Sequence, residues 1–182
     1  ITGTGSLIKT GAGTLSLNGS GSWTGGTIIS GGELWLNANS TLPSIGPVTI
    51  NHTDGGTRAY LRLGDNVSQS IGALTFGGTG AGSSSTNGLE LRSGSVLTLG
   101  GIVTVSATGN TLTAMISGAG TLALGGNRTF DIGGSSTAMT GLGVATVISG
   151  ANQSITKIGT GTLKFEAPNT YSGGTTVSAG VL

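Results

Sequence analysis

Residues 11–34 read GAGTLSLNGSGSWTGGTIISGGEL, and the chain continues Trp35-Leu36. Leu15 with Leu17, and Leu34 with Leu36, place two apolar side chains on one face of an extended chain, because successive side chains in a strand point to opposite sides. Trp35 then points the other way. The pairs Gly25-Gly26 and Gly31-Gly32 mark corners, where a residue without Cβ admits the positive φ that a sharp change of direction needs. Glycine at this density would halt a helix, so the stretch predicts short strands joined at tight corners.

The same order returns near the other end of the chain. A shift of 148 positions lays Leu7–Leu34 on Ile155–Leu182 without a gap, and Lys9, Gly11, Gly13, Thr14, Leu15, Gly25, Gly26, Thr27, Ser30, Gly32 and Leu34 meet identical residues. Trp23 meets Tyr171. A degenerate third copy, SGAGTLALGG, occupies 117–126. Between the copies the two-residue alternation persists at Leu61/Leu63, Leu74/Phe76, Leu89/Leu91, Leu97/Leu99, Val103/Val105 and Leu122/Leu124, and it recurs at Leu163/Phe165. One such turn of chain cannot bury its own apolar face, but turns stacked about 4.8 Å apart make the leucines a continuous interior ladder.

An all-β fold follows, a right-handed parallel β-helix (β-solenoid), given the strong handedness of parallel crossover connections. At about 20–25 residues per winding the chain would make roughly seven to nine. The stretch from Asn37 to Gly88, with Pro43, Pro47 and GGTGAGSSSTNG, reads as less regular, with bulges or insertions on one side of the rod.

Composition agrees. Of 182 residues 38 are glycine and only 7% are charged, yet 35% are hydrophobic and the mean hydropathy is +0.26, so there is enough periodic apolar surface to bury. The net charge of +1 is scattered, which argues against nucleic acid as a partner. No apolar run reaches the roughly 18 residues of a membrane-spanning helix. Cysteine is absent, so disulfides and thiolate metal sites are excluded.

KTGAGTLSLNGSGSWTGGTIISGGEL and KIGTGTLKFEAPNTYSGGTTVSAGVL resemble the autotransporter-associated β-strand repeat, also called the passenger-associated transport repeat, of Gram-negative surface proteins. The shared signature is Lys, Gly-x-Gly-Thr-Leu, an aromatic and Gly-Gly-Thr in fixed order; the first copy departs from it with Gly-Ser-Gly-Ser where the second has Pro-Asn-Thr. The resemblance implies a single β-helix segment over 1–182, a piece of a longer type V secretion passenger whose parent ends in a β-barrel translocator. It implies a stalk that assists secretion, displayed at the cell surface or secreted, with adhesion as an associated role. End-to-end self-association is expected from unpaired terminal strands.

Catalysis is not expected. Parallel β-helices that cleave glycans need convergent carboxylates, and the one region offering them holds Asp54, Asp65 and Glu90 with His52, Arg58, Arg62 and Arg92. Asp54 precedes Gly55-Gly56 and Asp65 follows Gly64, as turn residues do. There is no nucleophile elbow, GxGxxG or phosphate loop, and GGTGAGSSS lacks the Asp of a calcium-binding glycine repeat. No catalytic, cofactor-binding or metal residue is assigned, and no cofactor is expected. The alternative is a glycan-binding or glycan-degrading β-helix that uses the middle region; apart from it, Thr14, Thr27, Thr162, Thr175 and Thr176 offer a flat array suited to ice or a polysaccharide surface, and outward Trp35 a platform for a sugar or a partner.

Overall fold

The computed structural model describes residues 1–53, 58–77, 86–106, 113–134 and 141–182. Among these the regular structure is entirely β, and every strand pairing is parallel. Two long sheets carry most of it. The first takes, in chain order, Leu7–Lys9, Thr27–Ile29, Val48–Ile50, Leu74–Phe76, Val103–Val105, Arg128–Ile132, Ile155–Ile158 and Thr175–Val177. The second takes Thr14–Leu17, Gly32–Leu36, Arg58–Leu63, Thr86–Leu91, Ala114–Leu124, Leu142–Ser149 and Leu163–Phe165, also in chain order. Because the chain visits the two sheets alternately and each strand pairs with the next visitor, the backbone advances by one winding at a time.

Two further strands, Ser68–Ile71 and Val96–Leu99, pair with each other, and the second of them pairs with the later half of Ala114–Leu124. They give the middle windings a third side. The long strand bends between Ser117 and Thr121, where its register shifts, so it serves the second sheet with one half and this third side with the other. The residues of that bend, Gly118-Ala119-Gly120, belong to the degenerate repeat 117–126.

The interior is the predicted ladder. Leu15, Leu34, Leu61, Leu89, Ile116, Val144 and Phe165 are successive partners across the second sheet, and Leu34, Leu61, Leu89 and Ile116 are fully buried. Ile29, Ile50, Phe76, Val105 and Ile132 form the matching row of the first sheet. Constant register from winding to winding is what lets these rows close-pack, since a slip of one residue would turn each leucine to solvent.

Winding length differs from expectation in the middle. Leu7 pairs with Thr27 and Ile155 with Thr175, so the repeats use windings at the short end of the expected range. Val48 pairs with Leu74 and Leu74 with Val103, and both of these windings are longer than expected. The extra residues lie in the connection from the first sheet to the second and in the added third side. In the repeats that connection is 10–13, 30–31 and 159–162; between them it is 51–57, 77–85, 106–113 and 133–141. In the middle region Val48–Ile50 and Leu74–Phe76 stay paired in the first sheet, and Arg58–Leu63 and Thr86–Leu91 in the second. GGTGAGSSS lies almost wholly outside the described residues.

Candidate functional site

Two features stand out from the strand lattice: a charged and aromatic cluster on the outer face of the second sheet, and a buried lysine at the tight corner of each repeat.

The cluster follows from register. Trp35, Arg62 and Glu90 are direct neighbours on three consecutive strands, and Glu33, Tyr60 and Gly88 form the adjoining outward row. Arg62 joins the two rows: its Nη1 lies 3.1 Å from Glu33 Oε2 and its Nε 2.7 Å from Glu90 Oε2. Its guanidinium also covers the Trp35 ring, 5.1 Å from the centroid, while Trp35 Nε1 donates to Glu33 Oε2 at 2.8 Å. Arg58 pairs with Glu33 Oε1 and sits 5.9 Å from the Tyr60 centroid. Tyr60 in turn lies over Gly88, where a Cβ would come within 2.4 Å of the ring. Glu33 is thereby covered, its side chain only 5% exposed, while half of Arg58 still faces water.

Chemically this is a neutral, cross-linked patch of two carboxylates and two guanidinium groups framed by two rings. One guanidinium lies against both carboxylates and one ring, a set of groups suited to planar stacking and hydrogen bonding at its rim.

The sequence-predicted residues divide. Arg58, Arg62, Glu90 and Trp35 come together here. Asp65 and Arg92 instead pair with each other at 3.4 Å, both well exposed. His52 is buried at 2% exposure beside Asn87, whose Oδ1 accepts from its backbone N–H at 3.0 Å. Asp54 lies outside the described residues. Glu33 and Tyr60 were not anticipated, although both sit two residues from a named member, Trp35 and Arg62, and so share its face.

Threonines do stack on the first sheet, but mostly not those expected. Thr49, Thr75 and Thr104 are register partners, as are Thr129, Thr156 and Thr176. The two rows are offset because Thr104 faces Asp131 rather than Thr129. Of the named set, Thr176 joins a row, Thr14 and Thr175 are exposed, Thr162 is half-buried, and Thr27 points inward, accepting from Trp23 Nε1 at 3.2 Å.

The repeat corners are alike in detail. Lys9 Nζ donates to the carbonyls of Thr10, Gly11 and Gly31 at 2.7, 2.7 and 2.9 Å. Lys157 Nζ donates to those of Ile158, Gly159 and Ala179 at 2.8, 2.7 and 3.0 Å. Both lysines are buried, at 7% and 0% exposure. Burial pushes Lys157 below the ordinary lysine range, and nearby Asp131 opposes that shift. Gly11 and Gly159 take φ of 72° and 74°, and Gly32 and Gly180 take 64° and 73°. The aromatics repeat as well: Tyr171 OH bonds Thr175 Oγ1 as Trp23 Nε1 bonds Thr27.

Comparison with known proteins agrees with these corners. The passenger-associated-transport-repeat family matches residues 7–36 and 155–182. No curated protein and no solved structure matches the chain. Those two segments hold the two lysine corners, so each corner lies in a stretch that matches the passenger-associated transport repeat.

Proposed function

We propose that the chain is a stalk segment of a bacterial autotransporter passenger: a right-handed parallel β-helix that assists secretion, holds adhesive parts of its parent at the cell surface, and performs no catalysis itself. The parent is a longer chain with a β-barrel translocator. The observation that carries this reading is that strands of both family-matched regions belong to the same two parallel sheets, over a core that among the described residues is mostly aliphatic. A rod of this kind turns sequence length into reach, each winding adding about 4.8 Å. The test is surface display of the parent protein on intact cells, read by protease accessibility of this segment. Leu163→Asp, in the interior of the second copy, is expected to lower the displayed fraction severalfold. Undiminished display would overturn the secretion role.

A second reading is glycan binding on the outer face of the second sheet, supported by Trp35, Tyr60, Arg58 and Arg62 gathered there. Rings beside guanidinium groups suit the faces and hydroxyls of sugars. Binding of the chain to a panel of polysaccharides, lost in Tyr60→Ala, would favour it. Retention on none of them, with no release of reducing ends, would leave the stalk.

A further inference from the structure

The buried lysines raise a question that the stalk role does not answer: why a chain so poor in charge should place two of its three lysines inside. A buried ammonium carries a large desolvation cost unless its donors are all used. Here they are. In each copy two N–H groups serve the carbonyls at the next two positions along the chain, and the third crosses to a carbonyl 22 residues further on. That third acceptor belongs to the following winding. It stands directly before Gly32 or Gly180, whose missing Cβ lets the two corners close: a Cβ at 32 would meet Gly13 O at 2.3 Å, and one at 180 would meet Gly161 O at 2.4 Å and Lys157 Nζ at 2.6 Å.

The surrounding backbone bonds repeat too. Ser30 N donates to Lys9 O at 2.8 Å and Ser178 N to Lys157 O at 2.9 Å. Glu33 N donates to Gly13 O at 3.2 Å and Val181 N to Gly161 O at 3.3 Å. The windings between the repeats follow another plan. There the corresponding connections are 51–57, 77–85, 106–113 and 133–141, and the interior positions aligned with the lysines are apolar, as at Ile50, Phe76, Val105 and Phe130. At the corners that follow Lys9 and Lys157 the three donors of one ammonium meet main-chain carbonyls of two successive windings.

We infer that the lysine of each repeat is a cross-winding latch: its ammonium ties the tight corner of one winding to the main chain of the next, so that the repeat is a two-winding unit that docks as a whole. This assignment rests on the corner geometry alone and stands or falls independently of the secretion role.

The experiment is residue-resolved hydrogen exchange on the whole chain with Lys157→Met and Lys9→Met, since methionine fills similar volume without donors. The latch predicts at least tenfold faster exchange at Ser178 and Val181 in the first variant and at Ser30 and Glu33 in the second, with Leu61 and Leu89 unchanged. Unchanged protection in both variants would show the lysines to be space-fillers and overturn the inference. So would an equal loss of protection along the entire chain, because the latch acts at one junction. A second readout does not depend on variants: of the three lysine Nζ signals in a nitrogen-15 spectrum, those of Lys9 and Lys157 should show slowly exchanging protons and that of Lys164, which is 61% exposed, should not. Three equally fast ammonium groups would also overturn it.

Discussion

Position within the lattice decides what a residue contributes. Leu61 lies at the centre of an interior row and is fully buried, so Leu61→Ala leaves a cavity that flanking strands cannot collapse into without losing register. The expected cost is about 2–5 kcal/mol, read as a lower urea midpoint with an unchanged slope. Ile8, of similar size but 58% exposed, should tolerate alanine within about 0.5 kcal/mol. Glycines divide the same way. Gly32→Ala forces a left-handed φ on a residue with a Cβ and brings that Cβ to 2.3 Å from Gly13 O, for a loss on the order of 1–3 kcal/mol. Gly19 has nothing within 4 Å of the same position and no positive φ; its alanine variant should be neutral or gain up to about 1 kcal/mol through the unfolded chain. Thermal unfolding of the two variants side by side checks the contrast. The alternation of leucines made the first distinction readable from sequence, but nothing in a Gly-rich string says which glycine stands against a carbonyl of the next winding.

At the scale of elements, the outer face of the second sheet shows how parallel register manufactures contacts between residues far apart in sequence. Glu33, Arg62 and Glu90 come from three strands and meet only because each lies on the outward row of its own. Removing one partner weakens the hold on a covered charge: Arg62→Met leaves Glu33 with Arg58 and the Trp35 indole N–H and should cost about 3 kcal/mol. The double variant Glu33→Gln with Arg62→Met should recover part of that loss, because the buried carboxylate goes with its partner. A double-mutant cycle in urea measures the coupling, and strict additivity would show that the pair contributes nothing as a pair. Arg58, Arg62, Glu90 and Trp35 were all visible as candidates in the sequence. Their grouping was not, because it depends on how much chain each winding consumes, and the windings are unequal: Thr27 is the partner of Leu7, Leu74 of Val48 and Val103 of Leu74.

At the scale of the whole molecule, each inner strand of the two long sheets pairs with the strand before it and the strand after it in the sheet. Leu7–Lys9 and Thr175–Val177 are the outermost strands of the first sheet, each with one unpaired edge, and Ile8 and Val177 are 58% and 46% exposed. Edges of this kind recruit further strands, so sedimentation of the isolated chain should show mass rising with concentration; a monomer throughout would mean that the edges are too short to pair. What the sequence by itself determined is the local rule: leucines two apart face one way, glycine pairs turn the chain, and a lysine-to-leucine order near the start recurs near the end. Those features are set by the pleat of a strand and the sterics of single residues, which need no partner. Only the tertiary structure decided which winding lies on which, where the third side enters, that Thr27 turns inward while Thr49, Thr75 and Thr104 align, and that Lys9 and Lys157 close three carbonyls each. Those outcomes depend on register between segments a whole winding apart, from Leu7 against Thr27 to Leu74 against Val103, and register is a property of the packed stack, where one apolar row must lie over the last.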